Sequence, residues 1–319
     1  MNKGIGKVYK FSLAQLFKSR ANVATFAIFI IVAIASVPLM CVFMDPGQEA
    51  DTALFSSEVM SMSDYLARDE VSYDARYAVQ YGYSIAVMIV CLFSCTYIVR
   101  AIVEEKSSKL VETLMVSVSS SALILGKILS VMTFIFAMVA LLLASFGLSY
   151  LVTGMFMDTS VIGQSLAQMG LSADLLHLGP GLIAIVLVSL LLAYMTFALI
   201  SALGGAGCSN MEDVEAANTT AVLIIMAGYM VSVIGTSFGS GPALVLSLLP
   251  VVSAFSAPVC YVLGDISIFV LLASWAIQLI FILLIHKLSG KVYDSLIMYK
   301  GSRLKARQIL AMAGRKGAQ

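Results

Sequence analysis

The sequence predicts an all-α membrane protein that crosses the bilayer six times, with both termini on the cytoplasmic side. Three observations lead there. Of 319 residues, 60% are apolar and only 12% charged, where soluble domains carry about a quarter charged residues. Six charge-free apolar stretches, at 23–44, 83–99, 128–151, 182–202, 219–236 and 266–285, come close to the roughly 20 residues that take a helix across about 30 Å of hydrocarbon. Finally, 17 of the 19 Lys and Arg residues fall in 1–22, in 100–127 or after 285, and loops rich in these residues stay in the cytoplasm.

Taken in order, residues 1–22 form a cytoplasmic elbow helix. Ile5, Val8, Tyr9, Ser12, Leu13 and Leu16 follow helical spacing on one face, and Lys7, Lys10 and Lys18 follow it on another. Such a helix lies on the inner membrane surface with its lysines among anionic head groups. The first crossing lacks a small-residue cleavage site and is long for a signal peptide, so it reads as a retained anchor. Residues 23–319 then form one transmembrane domain. Its segment 45–82 holds the other two basic residues, Arg68 and Arg76, among eight acidic ones. That segment lies outside and is too short and polar to bury a core of its own.

The cytoplasmic segment 100–127 follows the second crossing. The loops near Asp158 and Asp265 contain no Lys or Arg, which agrees with an outer position. Residues 237–265 are apolar enough to suggest a seventh crossing, but an odd count would put the basic N-terminus or the basic tail 286–319 outside. Pro242, Pro250 and Pro258 also interrupt the stretch. The expectation is therefore an outer re-entrant hairpin before the last span, two half-helices whose freed backbone groups must be covered by protein.

Catalytic readings fail on residue requirements. Residues 235–239 match a nucleophile-elbow pattern, but that pattern needs a strand–turn–helix setting and a nearby His, and the two histidines are His177 and His286. Gly264 and Asp265 resemble half of an intramembrane aspartyl protease site, with Val262 where a glycine is required. A phosphate-binding loop would need Ser or Thr after Gly126 and Lys127, and an earlier glycine at Ser121; Ile128 follows instead. The five cysteines are an odd number and mostly fall inside crossings, so no disulfide framework follows. Cys91 and Cys95 read as small apolar contacts rather than metal ligands. The sequence thus gives no catalytic residue, no metal site and no cofactor held by this chain.

None of the six stretches carries an ionisable residue in its interior. Proton-coupled carriers place such residues there despite a cost of about 2.5 to 3.5 kcal/mol per charge. Any energy for uphill movement is then expected to enter from the cytoplasmic side. The surface for it is the 100–127 segment, where Glu104, Glu105, Lys106, Lys109 and Glu112 precede or interleave with Leu110, Val111, Leu114, Met115 and Val118. This predicts a short amphipathic helix at the membrane face with a Glu105–Lys109 pair at i and i+4.

The string Val103-Glu-Glu-Lys-Ser-Ser-Lys-Leu-Val-Glu-Thr-Leu-Met-Val-Ser-Val-Ser119, followed by Leu125-Gly-Lys-Ile128, closely resembles the cytoplasmic segment of type-2 ATP-binding-cassette (ABC) exporter permeases, in particular the sodium-efflux permease group. Residues 204–218 resemble that family's second cytoplasmic connection, 290–299 its tail, and 249–265 its outer re-entrant hairpin. The resemblance implies a permease subunit in the cell membrane that exports a substrate as a dimer with a second copy or a paralogue. It also implies a separate ABC ATPase subunit that supplies ATP and magnesium chemistry, and no nucleic-acid partner. It assigns Glu104, Glu105, Lys106, Ser107, Ser108, Lys109 and Glu112 to a first ATPase-coupling segment and Glu212, Asp213 and Glu215 to a second. The chain departs from the group in having only about 38 residues between its first two crossings, where members commonly carry a large outer domain. The competing classes are an ion-gradient-driven secondary transporter or channel and, further off, an intramembrane hydrolase.

Overall fold

The computed structural model describes residues 4–43, 73–107, 119–157, 159, 162, 179–208, 211–236, 238 and 240–296. Among them there is no strand, and the helices are α1 (Ile5–Lys18), α2 (Arg20–Phe43), α3 (Tyr73–Ser107), α4 (Ser120–Thr153), α5 (Pro180–Ala206), α6 (Val214–Thr236), α7 (Ser240–Leu248), α8 (Ser253–Val262) and α9 (Ile268–Leu296). Six helices, α2 to α6 and α9, are long and apolar enough to cross a membrane. They are the six crossings expected from hydropathy.

Two of them outrun that expectation. α3 has 35 residues and α4 has 34, which at 1.5 Å per residue is roughly 50 Å against about 30 Å of hydrocarbon. The cause is local. No Gly or Pro separates Val99 from Ser107, and Glu and Lys are good helix formers that hydropathy ignores. Glu104 to Ser107 therefore continue α3, and the rest of the expected short amphipathic helix, from Leu110 to Val118, lies outside the described residues. The N-terminal part of α4 likewise takes up Ser120 to Lys127, which hydropathy assigns to the loop.

The chain divides into two compact units. One comprises Met1–Lys18, Gly82–Ile135 and Gly179–Gln319. Its core gathers Val87, Cys91 and Cys95 of α3, Ala193 and Phe197 of α5, Ala221 and Ile225 of α6, and Ala254 and Phe255 of α8. α8 is unusual for its length, because every residue from Ser253 to Cys260 is buried. The Phe255 ring lies 5.7 Å from that of Phe197 and 6.3 Å from that of Tyr229, centroid to centroid. The other unit comprises Ser19–Tyr81 and Phe136–Leu178. Within it α2 leaves Ile28, Ile31, Val32 and Leu39 exposed, the pattern of a helix whose outer face meets lipid.

Two prolines sit inside helices, Pro38 in α2 and Pro258 in α8. Proline has no N–H, so in each case the carbonyl four residues earlier loses its helical donor. Both carbonyls find a hydroxyl on another helix. Ser149 Oγ donates to the Ile34 carbonyl at 2.6 Å, and Tyr83 Oη donates to the Ala254 carbonyl at 3.2 Å. Neighbouring side chains that re-satisfy freed groups are what allows proline in a membrane helix. Ser149→Ala and Tyr83→Phe should each lower the unfolding free energy in detergent by about 0.6 to 1.7 kcal/mol, the range for interhelical hydrogen bonds in membrane proteins. Thermal unfolding curves unchanged within about 0.3 kcal/mol would show that these carbonyls do not need their donors.

Candidate functional site

The end of the first unit where α3 and α5 finish and α4 and α6 begin brings together most of the charged side chains described. Successive residues on a helix point about 100° apart, and Glu104, Glu105 and Lys106 at the end of α3 use this to reach three different surroundings. Glu104 turns outward and pairs with Arg100 at 2.7 Å, an exposed pair of the kind worth little. Glu105 turns inward, only 8% exposed, and its carboxylate lies 2.7 Å from the ammonium of Lys127. Lys106 is half-buried and donates to the carbonyl of Ala206 at 3.1 Å.

Ala206 is the last residue of α5. The last four carbonyls of a helix have no partner within it and form the negative end of its dipole. An ammonium there answers both the hydrogen-bond need and the charge. Lys106 is in this way a cap on α5 supplied from α3.

Lys127 is the residue that hydropathy misplaces. α4 starts at Ser120, so Lys127 stands two turns inside the helix, 1% exposed. Its ammonium also donates to the carbonyl of Ala101 on α3. A signal for this existed in the sequence, since Lys127 sits between Ile124, Leu125, Ile128 and Leu129, and a lysine in an apolar stretch of helix needs a partner. Glu105 thus has a tertiary partner in Lys127; the expected i, i+4 pairing with Lys109 lies outside the described residues. Lys109, Ser108 and Glu112 lie outside the described residues. Ser107, the end of α3, is exposed, with its hydroxyl donating to the Glu104 carbonyl.

The second predicted segment lies against the same helix. Met211–Asp213 form a 3-10 turn leading into α6, with Glu212 and Glu215 exposed and Asp213 half-buried. Beneath the turn, Val99 and Val103 of α3 pack with Cys208, Val214 and Ala217. Asn218 donates to Thr96 Oγ1 at 3.2 Å. The second predicted segment and the described part of the first, Glu104 to Ser107, therefore share the last three turns of α3.

The first and last described helices, α1 and α9, meet α4 at this place as well. α1 buries Val8 and Ser12, and Tyr9 shares a hydrogen bond with Thr133 at 3.1 Å. Val8 approaches so closely that a Cβ at Gly126 would fall 2.9 Å from its own Cβ. Lys7, Lys10 and Lys18 on the other face are exposed. Near the far end of α9, a Cβ at Gly290 would lie 2.5 Å from the Ser121 hydroxyl oxygen. Among the described residues no group of His, Cys, Asp and Glu is placed to hold a metal ion.

Residues 47–287 match the ABC-2 family transporter protein family, a span of three quarters of the chain. The chain belongs to the ABC-2 transporter family. It is a multi-pass membrane permease by that membership, and the match extends to the family as a whole rather than to the sodium-efflux group. No curated protein and no solved structure matches the chain. For the ABC-2 permease the matched span covers α3 to α8 and most of α9. Both segments at the end of α3 therefore fall inside it, while α1 and α2 precede it.

Proposed function

We propose that this ABC-2 permease is the membrane-spanning subunit of an ATP-driven exporter in the cell membrane, with its ATPase on a separate polypeptide and a second permease copy or paralogue completing the transport path. The observation that carries the reading is that the second loop segment packs on the end of α3 beside Glu104 to Ser107, within a chain that has no phosphate-binding loop of its own. A partner that pushes on the exposed carboxylates of Glu104, Glu212 and Glu215 pushes on one packed body. ATP and magnesium belong to that partner.

Orientation is part of the same proposal. α1 and the end of α9 both adjoin the start of α4, so the first and last described helices share one end of the bundle. That end also carries the Lys and Arg excess, which favours the cytoplasm. α7 and α8 then lie at the outer side, and the burial of Ser253 to Cys260 supplies the protein cover that α8 requires if it dips into the leaflet.

The test is reconstitution into proteoliposomes with a panel of candidate substrates. The permease alone should accumulate none of them under a proton, sodium or potential gradient, whereas the permease with its ATPase and ATP should transport at least one. Accumulation by the permease alone, abolished by collapsing the gradient, would establish the secondary-transporter reading instead. Topology has its own check, since a cysteine at Ser119 or Ser302 should stay unlabelled by an impermeant thiol reagent outside intact cells, and cysteines at Ser57, Ser165 and Gly241 should react.

A further inference from the structure

Lys127 has no place in the function just proposed, yet it is the most deeply buried charge described. Among the described residues its carboxylate partner is Glu105, which family resemblance assigns to the docking surface. A carboxylate that is 8% exposed and committed to a buried ammonium has little left to offer a partner. The neighbouring residue, Lys106, is committed as well, to the Ala206 carbonyl at the end of α5. Of the residues described in this string, Glu104 and Ser107 face outward.

We propose that Glu105, Lys127 and Lys106 are positioning residues of the coupling machinery: a buried clamp that fastens the start of α4 and the end of α5 to the end of α3, so that all three move together. Docking is left to Glu104 and to the exposed acids Glu212 and Glu215. The clamp extends to α1, because Val8 is seated on Gly126, the residue before Lys127. A push delivered at the end of α3 reaches α4 through the ion pair and α5 through the lysine cap. Without the ion pair, α3 would shift while α4 stayed behind. The transmission role rests on the exporter reading above, whereas the clamp itself does not.

The geometry can be measured on the full-length permease alone. Spin labels on cysteines at Ser107 and Ser119, at the ends of α3 and α4, report their separation by pulsed electron resonance, with Cys41 replaced and the four buried cysteines left in place. A second pair at Ser107 and Met211 reports on α3 against the second loop. Wild type should give one narrow distribution for each pair. Glu105→Gln and Lys127→Met should at least double the width of the 107–119 distribution and leave 107–211 narrow, while Lys106→Met should do the reverse. The exchanged variant, Glu105→Lys with Lys127→Glu, should restore the narrow 107–119 distance.

In the ATPase complex, the two single ion-pair variants should hydrolyse ATP and bind the ATPase as wild type does but lose tenfold or more in substrate moved per ATP. The exchanged variant should recover it. A purely structural role would widen both label pairs together and lower ATPase binding. Unchanged 107–119 widths, or wild-type transport per ATP in the single variants, would overturn the clamp. If the wild-type complex shows no ATP-driven transport, the exporter reading fails, and the label separations still decide whether the clamp exists.

Discussion

Lys127→Met should cost the permease about 3 to 5 kcal/mol of unfolding free energy in detergent, and adding Glu105→Leu should return most of it. Removing one member of a buried ion pair strands the other charge in a low-dielectric interior, which is where the large penalty arises. Replacing both by apolar side chains of similar volume removes two desolvation penalties along with one attraction, a change that is often neutral or favourable. The unbranched stem of the introduced methionine would still fill the space between α3 and α4 that the lysine chain occupies now. Glu104→Gln, by contrast, touches an exposed pair with Arg100 and should change stability by less than about 1 kcal/mol. Denaturant or thermal unfolding of wild type, Lys127→Met, Glu105→Leu and the double variant gives the cycle directly. A Lys127→Met penalty under about 1 kcal/mol would mean that the pair is solvated and that Glu105 is free to dock.

The crossings were legible because lipid imposes a single strong rule, about 20 apolar residues per helix, and because lysine and arginine segregate so sharply between loops. The break at Pro250 was legible as well, with α7 and α8 the short helices on either side of it, whereas Pro242 and Pro258 fall within those helices rather than between them. What hydropathy could not show is where a helix stops once it leaves the hydrocarbon. Glu104 to Ser107 and Ser120 to Lys127 are polar enough to look like loop and helical enough to extend α3 and α4. That misreading hid the ion pair. Glu105 and Lys127 are 22 positions apart across a segment of which only the ends are described, and a local pairing rule offers Lys109 first. The hydroxyls that serve Pro38 and Pro258 were beyond reach too, because Ser149 and Tyr83 come from distant helices and serine or tyrosine in a crossing has many uses.

Phe255→Ala should be the most damaging single change outside the ion pair. Phe255 is fully buried at the centre of the α3, α5, α6 and α8 cluster. Truncating such a ring removes its transfer free energy and leaves a cavity, together about 3 to 5 kcal/mol. The loss should fall first on α8. A helix of 10 residues is below the length at which a helix holds itself together, so α8 depends on what packs around it, and Phe255 contributes the contacts to Phe197 and Tyr229. Pro258 weakens it further, since the Ala254 carbonyl relies on Tyr83 rather than on a helical N–H. Native cysteines report the outcome without new labels. Cys260 on α8 is buried, as is Cys208 in the separate cluster with Val99 and Val103. In Phe255→Ala, maleimide labelling followed by peptide mass spectrometry should find Cys260 modified at least tenfold faster than in wild type while Cys208 stays protected. Equal acceleration at both would mean that the whole unit opens together and that α8 is not its weak element; no acceleration at either would mean that neighbouring side chains collapse into the cavity and that Phe255 fills space without holding the helix.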